Sequence, residues 1–98
     1  MEDIDSKFDK AAQAVRDNED KARAAKQEDM LDIYGCFKVA SVGKCDTSRP
    51  GGLFNQKEKA KWDAWDKWSK MEEFADDQTK AKEKYCELVA AIVPESDW

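Results

Sequence analysis

The 98 residues carry 41% hydrophobic and 40% charged side chains with only four glycines and two prolines, which suits one helical domain with a thin core and leaves little room for a buried catalytic cleft. The formal charge of -5 opposes charge-driven binding to long nucleic acid, and the absence of histidine removes the commonest general base and metal ligand. No apolar run approaches the ~20 residues that span a bilayer, and the acidic opening Met1-Glu2-Asp3-Ile4-Asp5 is the reverse of a basic signal head, so a cytoplasmic chain without an integral membrane segment is expected.

Four segments carry helical spacing and none carries a sustained period of two. In the first, Phe8, Ala11, Ala12 and Val15 fall at i, i+3, i+4 and i+7, and Ser6 with Asp9 resembles a weakened capping box. Residues 17 to 29 are polar and alternate in sign, which fits a solvated connection or a frayed extension of a neighbouring helix, and a connection whose end joins the next helix is the favoured reading. The second helix has one stripe of Met30, Ile33, Phe37 and Ala40 beside another of Leu31, Tyr34, Lys38 and Ser41, and Gly43 can end it. Residues 44 to 52 are rich in turn formers and form a crossing loop long enough that the second and third helices need not be an antiparallel pair.

Asn55 is a plausible N-cap, with Glu58 at N3, for a third helix through Ala60, Trp62, Ala64, Trp65 and Trp68. Ala60, Trp62 and Trp65 are expected to turn inward. A charged stretch follows with Met71 and Phe74 as its large apolar residues. The fourth helix runs through Ala81, Tyr85, Leu88, Val89 and Ile92, with Pro94 as its stop and residues 94–98 as a short tail to a single domain, 1–98. Four amphipathic helices in so short a chain pack stripe to stripe as an all-α bundle.

Candidate chemistry sits at two places. Tyr34 and Lys38 are four apart on one helical face with Phe37 at its edge, where a lysine could hold a phosphate while the rings meet a flat heterocycle. Ordinary core aromatics with a snorkelling lysine fit the same spacing. Lys57 and Lys61 share a face of the third helix and repel by a few tenths of a kcal/mol, which an anion would relieve. A solvated charged face containing Glu58, Asp63 and Asp66 is the competing reading. Cys36, Cys45 and Cys86 are odd in number and irregularly spaced, which points to reduced thiols and against a zinc site, and no catalytic motif or Gly-rich phosphate loop is present.

Taken together, Phe8-Asp9-Lys10-Ala11-Ala12, the block from Met30 to Gly43 with its Tyr-x-x-Phe-Lys-x-Ala-Ser-x-Gly core, Arg49-Pro50-Gly51 and Lys59-Ala60-Lys61-Trp62-Asp63-Ala64-Trp65 resemble the acyl-CoA-binding protein family. The likeness runs from about Phe8 to Val89. It implies a four-helix bundle in up-down-down-up order that binds and carries a long-chain acyl-CoA ester without chemical change, as an intracellular pool former and transporter. Acyl-CoA would be a bound ligand, with no cofactor and no metal.

By the same resemblance, Tyr34 and Lys38 would meet the adenine and the ribose 3′-phosphate, Lys61 would reach that phosphate, and Tyr85 would lie near the nucleotide. Arg16 stands where the family usually has lysine, and Met30, Phe37 and Lys57 complete the expected ligand-binding set. Phe37 replaces a frequent tyrosine and Val39 a frequent glutamine, and extra residues lie near 17–29 and 69–80. A monomer is expected, with transient contacts to membranes or to enzymes that use acyl-CoA. The alternative is a helical protein–protein interaction module with a weak or vestigial lipid site, docking through its acidic surface, the polar insertions and Glu95-Ser96-Asp97-Trp98.

Overall fold

Asp3, in extended backbone, caps the first helix by accepting a hydrogen bond from the Ser6 amide at 2.8 Å. The expected Ser6–Asp9 box is therefore replaced by a cap three residues earlier, with Ser6 as its partner in the first turn. The structure, a computed structural model, describes residues 3–52 and 55–98, with the backbone alone of Asp97. Its helices are α1 (Ile4–Asp17), α2 (Glu19–Ala24), α3 (Gln27–Ser41), α4 (Gln56–Ser69), α5 (Glu72–Ala75) and α6 (Gln78–Ala90), followed by a 3-10 turn, Glu95–Asp97. Among the described residues none of these helices is long and apolar enough to cross a membrane.

The four long helices are those expected from the stripes, and α2 is a correction. Residues expected as a solvated connection instead make a short helix, with Glu19 and Asp20 in its first turn and Arg23 in its last, paired with Glu19 at 3.3 Å. Acid at the N-terminal end and base at the C-terminal end complement the helix dipole, which offsets the lack of an apolar stripe. Residues 27 to 29 already belong to α3. Gly43, at φ 109, ends that helix, and its N–H reaches back to the Lys38 carbonyl at 3.1 Å.

Side-chain pairings fix the helix order. Phe8 stacks on Phe37 while Val15 and Met30 line one hollow at the other end, so α1 and α3 run antiparallel. Along α3 and α4 the partners rise together, from Tyr34 with Lys61 to Lys38 with Trp65, so these helices are parallel. Asp5 with Lys82 and Phe8 with Tyr85 make α1 and α6 parallel. The result is an up-down-down-up four-helix bundle in which α3 packs on both α4 and α6. A β-carbon on Gly35 would stand 2.6 Å from the Ala64 carbonyl oxygen, so only glycine permits this approach of α3 to α4.

The crossing loop is strapped to α4. Trp65 donates its indole N–H to the Gly43 carbonyl at 2.8 Å, Ser69 Oγ accepts from the Cys45 amide at 2.7 Å, and Arg49 makes a two-pronged pair with Asp63 at 2.8 and 3.0 Å. Trp62 also belongs to this strap: its indole N–H donates to the Thr47 carbonyl at 3.1 Å, and its ring is absent from the buried core that holds Trp65 and Trp68. The inward reading holds for Trp65 and fails for Trp62, because the loop comes to meet the latter's ring. Ala60 is only part-buried.

Phe74 of α5 packs on Trp68 with ring centroids 5.3 Å apart, which ties the second insertion to the end of α4. Asp77 caps α6 by accepting from the Thr79 and Lys80 amides. The helix ends at Ala90, earlier than the proline stop implied, and a turn buries Val93 before Pro94. Trp98 folds back to donate to the Val93 carbonyl at 2.8 Å, and Lys7 holds Glu95 at 3.4 Å.

Candidate functional site

The seam between α3 and α4 has two unlike flanks. On one, Lys61 Nζ lies 5.5 Å from the centroid of the Tyr34 ring and Lys38 Nζ lies 4.4 Å from that of Trp65. Tyr34 and Lys38 are one turn apart on α3, as are Lys61 and Trp65 on α4, so the two cation–ring pairs cross the seam in adjacent layers. Each ammonium is held by its electrostatic fit to a ring face and not by a carboxylate in these contacts. On the other flank a hollow of about 390 Å³ is edged by Glu28, Asp32 and Asp63, and Lys67 there pairs with Asp32 at 3.4 Å. On that flank Lys67 and Arg49 are engaged by Asp32 and Asp63, whereas on the first flank the two ammonium groups face rings in these contacts, so the first flank is the one suited to a phosphate.

Below the lysines of the first flank, a cleft of about 830 Å³ opens between the N-terminal halves of α3 and α4. Met30, Leu31 and Ala60 give it an apolar floor, and Lys57 and Lys61 stand at its edge. Tyr34 and Met30 also face a second hollow of about 230 Å³ between α1, α3 and α6, where Phe37, Tyr85 and Arg16 join them. Three rings meet beside it: Phe8 to Phe37 at 5.6 Å, Phe8 to Tyr85 at 5.0 Å and Phe37 to Tyr85 at 5.6 Å. Tyr34 and Met30 thus form the ridge between a flat aromatic hollow and a longer apolar cleft. Such a pair of compartments suits a ligand with a planar head and a flexible tail.

Burial pushes the Tyr85 phenol above its ordinary range, and burial with the nearby Glu58 charge raises that of Tyr34. Both hydroxyls therefore remain protonated donors at neutral pH. Burial also pushes the Cys36 thiol up to about 12, and it donates to the Ala81 carbonyl at 3.2 Å, so it is no nucleophile. Among the described residues no cluster of three metal-binding side chains occurs.

Seven of the eight residues singled out from sequence are thereby brought to two adjoining hollows: Arg16, Met30, Tyr34, Phe37 and Tyr85 to the aromatic one, and Lys57 and Lys61, with Met30 and Tyr34 again, to the cleft. Lys38 lies one turn beyond, against Trp65. Sequence reasoning missed Phe8 as a member of the ring cluster and Trp65 as the platform under Lys38. Their stripes mark both as core, and both are buried; Phe8 backs the rings of Phe37 and Tyr85, and Trp65 carries Lys38 on its face.

A helical bundle in this order, with cations and rings gathered along one side of an apolar cleft, has the form of a module for amphiphilic anions. The sequence profile described as Acyl CoA binding protein matches residues 5–89. An acyl-CoA-binding protein of Gossypium hirsutum is 48% identical over 65 residues, covering 63% of this chain and 72% of that protein. The acyl-CoA-binding domain-containing protein 6 of Danio rerio is 36% identical over 93 residues, and these cover 95% of this chain but 28% of that longer protein. The crystal structure of Oryza sativa acyl-CoA-binding protein 2 superposes with a TM-score of 0.73 at 28% identity, over 97% of this chain and 94% of the other. This chain belongs to the acyl-CoA-binding protein family, whose matched members are named for binding acyl-CoA.

Proposed function

We propose that the chain binds one long-chain acyl-CoA ester with its nucleotide across the Tyr34 ridge and its hydrocarbon in the α3–α4 cleft, and carries it as an intracellular pool. The observation that carries this reading is the crossed pair of contacts, Lys61 on Tyr34 and Lys38 on Trp65, directly beside an apolar cleft. The adenine stacks in the hollow of Tyr34, Phe37 and Tyr85, and the 3′-phosphate draws Lys38 and Lys61 off their rings. Arg16 and Lys57 extend the positive rim on either side of the ridge.

Two physical contributions are needed. Each charge-assisted hydrogen bond from a lysine to the phosphate contributes ~1.5 to 3 kcal/mol, in exchange for a cation–ring contact of ~0.5 to 1 kcal/mol. Burying the tail contributes ~0.8 kcal/mol per methylene before ordering costs are subtracted. Neither half reaches nanomolar affinity alone. Titration calorimetry tests this: palmitoyl-CoA should bind near ~10⁻⁹ M, with free CoA and free palmitate weaker by orders of magnitude. Equal affinity for all three ligands would remove the two-part site. The protein acts as a monomer in the cytoplasm, with the whole of 1–98 as a single binding domain.

A further inference from the structure

The helix α2 buries no residue fully, yet Ala22 within it and Ala25, the extended residue that caps its C-terminus, line a hollow of about 510 Å³, while Ala24 is exposed. Val15 of α1 and Met30 of α3 form the floor of that hollow. Of the charged residues that line it, Glu19 and Arg23 pair with each other at 3.3 Å, and Arg16 stands at the side shared with the aromatic hollow. A short helix of this kind is marginal in isolation and gains little from the core here. What its alanines cover is a groove.

That groove adjoins the α3–α4 cleft across Gln27 and Met30, which line both. It also adjoins the aromatic hollow through Val15 and Arg16. A hydrocarbon lying along the cleft meets at that end the unbranched, adaptable side chain of Met30, with the space beneath α2 directly behind it. We propose that α2 and its C-cap form the far wall of the tail trough and set the longest acyl chain the protein accepts, with Ala22 and Ala25 as the residues that determine it. This rests on the acyl-CoA reading of the site. It assigns a task to residues 19–25 that the head-group contacts do not require. Alanine is the fitting side chain at both positions: a larger one would fill the trough, and a polar one would oppose hydrocarbon.

The test is a series of saturated acyl-CoA esters from eight to twenty carbons, titrated against the full chain and against Ala22→Trp, Ala25→Trp and Ala24→Trp. Each methylene that enters apolar surroundings raises affinity up to about fourfold. For the unsubstituted chain, affinity should keep rising with tail length until the space beneath α2 is filled. Ala22→Trp and Ala25→Trp should follow that rise for short tails and then level off several carbons earlier, with the short-tail affinities within about twofold of the original. Ala24→Trp, on the solvent side of the same helix, should leave the profile unchanged. Circular dichroism and melting curves identify any variant that has lost the fold, and the second inward position replaces it. Parallel length profiles for folded inward variants and the original chain would overturn the assignment of α2 alone. If the original chain binds none of the esters, the reading of the whole site falls and this proposal with it.

Discussion

Lys61 Nζ stands 5.5 Å from the centroid of the Tyr34 ring, on the helix opposite, and the residue's long stem is only part-buried. The contact orients the ammonium over the ridge between the two hollows at a folding benefit of only ~0.5 to 1 kcal/mol. Replacing Lys61 by Ala should therefore lower palmitoyl-CoA affinity about 10- to 100-fold, the equivalent of one lost charge-assisted bond, while the melting temperature moves by a few degrees at most. Calorimetric titration beside a melting curve separates the two effects. A large loss of stability with unchanged affinity would make the residue structural.

Gly35 controls the spacing of the same seam. A methyl group there meets the Ala64 carbonyl oxygen at 2.6 Å and Trp68 Cδ1 at 2.5 Å, and backbone cannot step aside as a flexible side chain would. Gly35→Ala gains ~1 kcal/mol of helix propensity and forces overpacking of ~1 to 3 kcal/mol, so the net effect should be loss of stability in urea unfolding. A stabilised variant would show that α3 and α4 are not so close.

The two neighbouring tryptophans of α4 should separate cleanly. Trp65 is 7% exposed and supports both Lys38 and the Gly43 carbonyl, so Trp65→Ala should cost ~3 to 5 kcal/mol in denaturant unfolding. Trp62 holds the crossing loop through Thr47 at the surface, and Trp62→Ala should cost ~1 kcal/mol, with faster amide exchange in residues 44–52. Equal losses would return Trp62 to the core.

The thiols give a pH dependence. Cys36 ionises at about 12 in the fold against its ordinary 9.0, so the folded state holds its proton where the unfolded chain has released it. Its contribution is fully present below pH 9 and is lost as pH rises toward about 12. Stability measured by urea at pH 8, 9 and 10 should decline across the upper two values, less steeply in Cys36→Ala. At pH 8 a disulfide reagent should modify part-exposed Cys45 promptly and reach buried Cys36 and Cys86 only through opening of the fold.

How much of this was legible in the sequence varies by residue. Phe8, Ile33, Trp65 and Tyr85 announced their helices because an apolar stripe reports the face that meets a neighbour. Gly43 marked the end of α3 through its own backbone freedom. The segment 17–29 hid α2, since Glu19, Arg23 and the alanines stabilise a helix through charge placement and propensity without a stripe. Trp62 was misread because periodicity gives a direction and cannot show that a loop returns to that direction. Tyr34 and Lys38 could be placed on one face from spacing, but their meeting with Lys61 and Trp65 depends on α4 running parallel to α3. The resemblance implied that arrangement; the spacings left it open.

The most direct measurement is a thermodynamic cycle on the 3′-phosphate: palmitoyl-CoA and its 3′-dephospho analogue titrated against the unsubstituted chain and against Lys61→Ala. If ammonium groups from α3 and α4 converge on that phosphate, its removal should weaken binding to the original chain by more than about tenfold and weaken binding to Lys61→Ala far less. An equal loss in both proteins would contradict it, since the lysine and the phosphate would then act independently.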